Sequence, residues 1–208
     1  MTASFAGWPR EAFDVLLQLD GEPSEEVRQR CRADREQLVR QPMIALMNDV
    51  ADADGAYEDF SVWSYAKLAW YWQHQPAVVR IRKFLELSLG FDLDGLRVQG
   101  AWWYADSTQV ERYRRAVGDD ASGEQLATIL DALRTKGFSI TGDVMKRVPR
   151  GYDKDHPRAE LLKHRTVRVQ RPLGCDDWLH TPGVVDRVLE VFGELRPMMA
   201  WFATHVSV

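Results

Sequence analysis

Apolar residues recur at helical spacing through the first quarter of the chain. Ala12, Phe13, Leu16 and Leu17 follow Pro9, which suits the first turn of a helix. Gly21 to Pro23 breaks the pattern. Ser24 then reads as the N-cap of a long charged helix running toward Val50, with Glu25 and Glu26 in its first turn. Pro42 predicts a kink or split, and Met43, Leu46, Met47 and Val50 stripe the second piece. After the polar segment Asp52–Asp59, the aromatic-rich Ser61–Trp72 reads as strand. Val78–Phe84 alternates Val79 and Ile81 against Arg80 and Arg82, a second strand. Two helices follow the sheet region. Residues 107–117 carry Val110, Tyr113 and Val117 on one face. Residues 123–136 begin at Ser122, with Gln125 completing a capping box, and close at Lys136-Gly137.

The sharpest local prediction is a hairpin at Asp94-Gly95, a pair that favours a two-residue type I′ turn. Leu85, Leu87, Leu89, Phe91 and Leu93 then share a face with Leu96, Val98, Gly100, Trp102 and Tyr104. On the other face Asp92 meets Arg97 as an opposite-charge pair. Gly100 reads as room for a neighbouring element. Short strands are expected at Phe138–Ile140 and Thr166–Val169, with a short helix over 157–163. A final amphipathic helix is expected from Thr181 and Pro182, bent at Pro197.

Together these elements predict one α+β domain over residues 1–208, an antiparallel sheet packed with helices from both ends of the chain. Its parts are N-terminal helices (9–50), a sheet (60–105), helices (107–136), a turn and strand block (138–171) and a C-terminal helix (182–205).

Composition narrows the class. At 208 residues, 45% hydrophobic with eight Trp, the chain can bury a sizeable core. The net charge of −4 argues against general nucleic-acid affinity. Residues 145–171 depart from that balance, with nine Lys and Arg against three Asp and Glu. That excess suits a local anion site or, more weakly, a nucleic-acid contact. Cys31 and Cys175 form neither a disulfide framework nor a zinc pattern. No signal peptide and no apolar run of membrane-spanning length is visible, so a soluble, cytoplasmic protein is expected.

Two segments carry candidate chemistry. In RVPRGYDKDHP, Pro149, Gly151 and Pro157 set the backbone around Arg147, Arg150, Tyr152, Asp153, Asp155 and His156. Arginines on a stiff loop can grip a carboxylate or phosphate, and Asp155 beside His156 offers an acid/base pair. The structural alternative is that the two aspartates satisfy the turn. In the aromatic stretch, alternation puts Trp63, Tyr65 and Lys67 on one face and Trp70, Trp72 and His74 together. That wall suits a planar or cationic ligand; the alternative is simple core packing. No metal site is expected, since His74, His156, His164, His180 and His205 lack paired spacing. No phosphate-cradling loop, dinucleotide fingerprint or nucleophile elbow is present, so no cofactor is expected.

The segment MKRVPRGYDKDHPRAELLKHR resembles the Arg-x-Pro-Lys/Arg-Gly-Tyr-x-x-x-His-Pro block of the bacterial domain-of-unknown-function family 2461. FAGWPREAFDVLLQL, VERYRRAV, DGLRVQGAWW and LRPMMAWF fall in the order that resemblance implies. The family's central Arg-x-x-Arg-Asp-x-Arg-Phe motif is replaced here by VWSYAKLAWYWQHQPAV, with Lys67 where one arginine is expected. The chain thus resembles a divergent subgroup whose charged motif has become aromatic.

These readings lead to a small-molecule-binding or enzymatic domain, with the reaction left open. Arg147, Arg150 and Tyr152 would hold an anionic group, while Trp63, Lys67, Trp70 and Trp72 would line an aromatic wall. His74, His156 and Asp155 are the candidate proton carriers. The rival is a non-catalytic interaction module, or a homo-oligomer, anchored by the aromatics.

Overall fold

The computed structural model describes residues 4–64, 70–103 and 105–207. Tyr65, Lys67 and Tyr104, named above, lie outside the described residues.

The N-terminal helices form where the periodicity predicts them, except that Leu17 of the expected apolar face is 65% exposed and Val15 is buried in its place. Helix α1 spans Glu11–Gln18 and buries Ala12, Val15 and Leu16. Helix α2, Glu25–Asp34, starts at Ser24, whose hydroxyl accepts the Val27 N–H. The expected kink at Pro42 takes a specific form. Residues Arg35–Arg40 make a wide π turn, and α3 follows directly over Gln41–Ala53. Proline has no N–H for the ladder, and the Gln41 N–H instead reaches back to the Glu36 carbonyl. Arg35 and Val39, four residues apart on this turn, are both buried.

A six-stranded antiparallel sheet runs in the order β1-β2-β3-β4-β6-β5. Its strands are β1 (Phe60–Val62), β2 (Gln75–Arg82), β3 (Leu85–Asp92), β4 (Gly95–Trp102), β5 (Ser139–Thr141) and β6 (Val167–Gly174). Phe60 pairs with Val79 at one end, and Ile140 with Val169 at the other. β2 stops before the expected Phe84. Lys83 and Phe84 form the turn into β3, and Phe84 adopts a φ of 61°, a conformation most side chains avoid.

The central hairpin forms, one residue earlier than Asp94-Gly95 implied. The turn occupies Leu93 and Asp94, and only Gly95 has a positive φ, 91°. A type I′ turn needs positive φ at both central residues, and a leucine resists that. Gly95 is also fixed by space, because a Cβ there would lie 2.1 Å from the Gly174 carbonyl oxygen. The two-face pattern holds: Leu85, Leu87, Leu89, Phe91, Leu96, Val98 and Trp102 are all buried. Asp92 and Arg97 pair at 3.2 Å.

Helices α5 (Ser107–Gly118) and α6 (Asp120–Thr135) follow. The cap of α6 is Asp119, which accepts the Ser122 N–H; Ser122 sits in the first turn and is not the cap. Both residue types cap well, and the break in α5 at Gly118 sets which one is used. Helix α7 is one turn, Ala159–Leu162, and α8 runs Val184–His205 through Pro197. α8 begins later than Thr181 and Pro182 suggested, because the Thr181 hydroxyl instead closes the preceding 3₁₀ turn on the Trp178 carbonyl.

The chain divides into two compact units. Unit 1 comprises residues up to Val79, Ser88–Val98 and Pro172–Val191; unit 2 comprises Arg80–Leu87, Gln99–Arg171 and the chain from Phe192 onward. In unit 1, Trp8 stacks on Phe91 at 4.4 Å, meets Phe5 edge-on and donates its indole N–H to the Val39 carbonyl. In unit 2, Trp102, Tyr113 and Phe202 form the corresponding aromatic core. The Tyr113 hydroxyl donates to the Leu161 carbonyl, and burial pushes its pKa well up. The room at Gly100 is used by α8: a Cβ there would crowd Met198, Met199 and Leu195.

Among the described residues, no helix is long and apolar enough to cross a membrane.

Candidate functional site

The aromatic segment is not one strand. Strand β1 ends at Val62, and Trp70–Gln73 is a helical turn, α4. Helical geometry undoes the predicted wall, because residues two apart on a helix face nearly opposite ways. Trp72 turns inward, 8% exposed, into a cluster with Val15, Leu19 and Cys31. Trp70 turns outward and is 46% exposed; Trp63 is 43% exposed.

A buried arginine holds this segment in shape. Arg35, on the π turn, is fully buried. Its Nε donates to the Trp72 carbonyl at 2.9 Å and its Nη1 to Gln75 Oε1 at 2.8 Å. Its Nη2 reaches the Tyr71 and His74 carbonyls. Gln75 passes the restraint on by donating to the Trp63 carbonyl at 2.9 Å. The spread of these bonds over Tyr71 to Gln75 fixes where His74 and Trp70 point.

His74 and Trp70 lie one helical turn apart and stack, with ring centroids 4.5 Å apart and planes at 10°. His74 Nδ1 lies 2.9 Å from the Trp70 carbonyl oxygen. A carbonyl only accepts, so Nδ1 carries a hydrogen and Nε2 is the ring's other polar atom. Nε2 faces Asp92 Oδ2 at 3.6 Å. Asp92 is nearly buried; it also accepts from Arg97 Nη1 at 3.2 Å and from the Asp94 N–H at 2.9 Å. Gly90 leaves room for Arg97, since a Cβ there would lie 2.8 Å from its Nη2. Within unit 1, therefore, an exposed indole, an imidazole, a held carboxylate and a guanidinium stand in a chain. The group can stack a planar ring and exchange a proton or hydrogen bond at Nε2.

The turn block belongs to unit 2 and is largely self-satisfying. Asp153 Oδ1 accepts the Asp155 N–H, and the Asp153 carbonyl accepts the His156 N–H. His156 Nδ1 accepts the Arg158 N–H at 3.0 Å, so this ring serves the turn. Asp155 and His156 are not hydrogen-bonded to each other; Asp155 is exposed and pairs with Lys154. The Tyr152 ring packs over Gly118, where a Cβ would come within 2.7 Å of it. Arg147 and Arg150 are exposed and have no hydrogen bond or ion pair among the described residues. The aromatic segment and the turn thus fall in different units, and each arrangement stands by itself. His164, half-buried, bonds the Thr166 carbonyl through Nδ1, and burial lowers its pKa. No group of three or more metal-ligating side chains converges among the described residues.

The most heavily bonded residue of the block was not among the candidates. Arg158 is 7% exposed and crosses to the end of α5. It donates through Nε to the Val117 carbonyl at 2.8 Å and through Nη2 to the Gly118 and Asp119 carbonyls. Nη2 also meets Asp120 Oδ1 at 3.0 Å. Val117 and Gly118 are the last residues of α5, whose carbonyls lack helical partners and favour a cation, while the Asp119 carbonyl also accepts the Gly123 N–H. Gly123 makes the space: a Cβ there would sit 2.2 Å from the Val117 oxygen and 2.5 Å from Arg158 Nε. Arg35 and Arg158 went unnoticed because local sequence does not separate a buried arginine from a surface one. Alternation in the hairpin marks Asp92 only as a cross-strand partner of Arg97. Glu86 was also missed: burial raises its pKa, against the opposing effects of the Trp103 indole and Arg80.

An α+β chain with this turn block and this hairpin belongs to a recognisable class. Residues 69–201 match the family described as Conserved hypothetical protein (DUF2461), and the chain belongs to that family. The match takes in α4, His74, the hairpin, the turn block and most of α8, and leaves the N-terminal helices outside it. Comparison with curated proteins and with solved structures finds no match.

Proposed function

We propose that unit 1 binds a small aromatic molecule at Trp70 and His74. The observation that carries this is the exposed Trp70 indole, stacked on an imidazole whose Nε2 faces a buried carboxylate. An indole presented on one side and held by a ring on the other is a stacking platform. His74 Nε2 and Asp92 supply the directional polar contact that a planar ligand needs for orientation. Trp63 adds a second exposed indole, and Lys67 is a candidate neighbour from the sequence alone. Any proton transfer would run through Nε2, with Asp92 behind it. Trp72 leaves the ligand-facing set, because its ring is committed to the core. Arg147 and Arg150 remain proposed as anion-holding groups of unit 2 in their own right, supported by their exposure and lack of partners.

The test is a thermal-shift screen of small aromatic compounds against the whole chain, repeated on Trp70→Ala and His74→Asn. Hits that vanish in both variants support the site. Hits unchanged by Trp70→Ala overturn it. The same two exposed indoles favour the rival reading, an interaction surface. A concentration-dependent dimer in solution, lost in Trp70→Asp, would select the rival.

A further inference from the structure

A surface depression of about 650 Å³ lies in unit 2 where the end of α5, the start of α6 and the end of α8 converge. It is within the size range of small-molecule sites. Arg112 and Arg115 line it from α5, Gln125 from α6 and His205 from α8, with Ala116 and Ala121 as apolar wall. None of these residues belongs to the aromatic site or the turn block.

The state of the polar groups is the informative part. Asp119 is the acidic residue of the depression, and its carboxylate is already engaged. Oδ1 accepts from both the N–H and the hydroxyl of Ser122 as the cap of α6. These bonds, the Ser122 backbone N–H first, hold Asp119 below the ordinary carboxylate range. Ser122 spends its hydroxyl on Asp119 and the Ala116 carbonyl. By contrast the side chains of Arg115, Gln125 and His205 have no hydrogen bond or ion pair among the described residues. The His205 ring is steadied by Trp201, 4.9 Å away, and Trp201 is itself pinned through its indole N–H to the Ser122 carbonyl. Arg112 donates through Nη1 to the Val206 carbonyl at 3.5 Å and makes other interactions besides. The two guanidinium charges of Arg112 and Arg115 outweigh the one carboxylate of Asp119, whose Oδ1 is committed to the α6 cap, and the Arg115, Gln125 and His205 side chains carry no such commitment.

We infer that this depression is a binding site for a small oxyanion, carboxylate or phosphate, carrying an apolar part. Arg115 grips the oxyanion as a forked donor, and Arg112, one turn away on α5, adds its positive charge. Gln125 and His205 bond its edge, and the apolar part lies against Ala116 and Ala121.

The test uses the whole chain, titrated separately with inorganic phosphate and with benzoate by isothermal calorimetry, for the native sequence, Arg115→Ala and Arg115→Lys. Saturable binding is expected, weakened about tenfold or more in Arg115→Ala, as loss of a charge-assisted hydrogen bond implies. Arg115→Lys should recover part of it, since the charge is kept and the fork is lost. Tighter benzoate marks a carboxylate ligand, and tighter phosphate a phosphate ester. Arg115 is exposed, so its variants should fold; circular dichroism verifies this. Absence of saturable binding of either probe, or equal affinity in a folded Arg115→Ala, would overturn the inference.

Discussion

Replacing Arg158 with alanine removes the cation that closes α5. The native guanidinium is 7% exposed and meets three backbone carbonyls, with the shortest bond 2.8 Å to Val117. A hydrogen bond from a charged donor contributes about 1.5–3 kcal/mol, and a buried carbonyl left unpaired costs about 1–3 kcal/mol. The Gly118 and Asp119 bonds, at 3.4 and 3.3 Å, are weaker than the Val117 bond. Asp120 and Glu124 are exposed partners, so their ion pairs with Arg158 add little. One strong bond and two weak ones give a loss of about 2–4 kcal/mol. In a chain of this size that lowers the melting temperature by roughly 4–16 °C. Urea denaturation of native and Arg158→Ala protein measures it, with unchanged slope showing that stability alone has moved. Arg158→Lys should recover less than half, because its three donors sit on one nitrogen and cannot reproduce the spread between Nε and Nη2. The control is Asp120→Asn with Glu124→Gln, expected within about 0.5 kcal/mol of native. A loss below about 1 kcal/mol in Arg158→Ala, or a control as damaging as Arg158→Ala itself, would refute the reasoning.

Gly123→Ala should destabilise, although glycine to alanine within a helix ordinarily gains up to about 1 kcal/mol. The new methyl would meet the Val117 oxygen at 2.2 Å, so thermal melts should show a lower midpoint. Trp72→Asp should cost about 4 kcal/mol or more by denaturation, since it empties a core site and buries a charge, whereas Trp70→Asp should be nearly neutral. His164 gives a pH dependence. Burial lowers its folded-state pKa below the ordinary 6.5, so the unfolded chain binds the proton more readily. The stability present above that ordinary value is lost as pH falls through the window toward the folded value. Urea midpoints from about pH 7.5 down to about pH 5.5 should therefore fall more steeply for native protein than for His164→Gln. Parallel slopes would remove His164 from the account.

The sequence by itself determined most of the elements and the family. Helical and alternating periodicities report which face of each element is apolar. That sufficed for α1, α3, the β3–β4 hairpin and α8, because burial of those faces drives their packing. It failed where periodicity was mixed. Ser61–Trp72 has so many aromatics that strand and helix patterns both fit, and the difference decides whether Trp72 is ligand-facing or core. The hairpin slipped by one residue because Gly95 is held against the Gly174 backbone, a contact from a distant part of the chain. The positions of the charged groups were decided by tertiary structure alone. Arg35 and Arg158 gather carbonyls from segments about 40 residues away, His74 finds Asp92 across the fold of unit 1, and Arg115 finds Gln125 and His205 from two other helices. Charged side chains carry no periodic signal of their own. Whether one is exposed, capping a helix or poised over a depression depends on which backbone groups the fold leaves unpaired beside it.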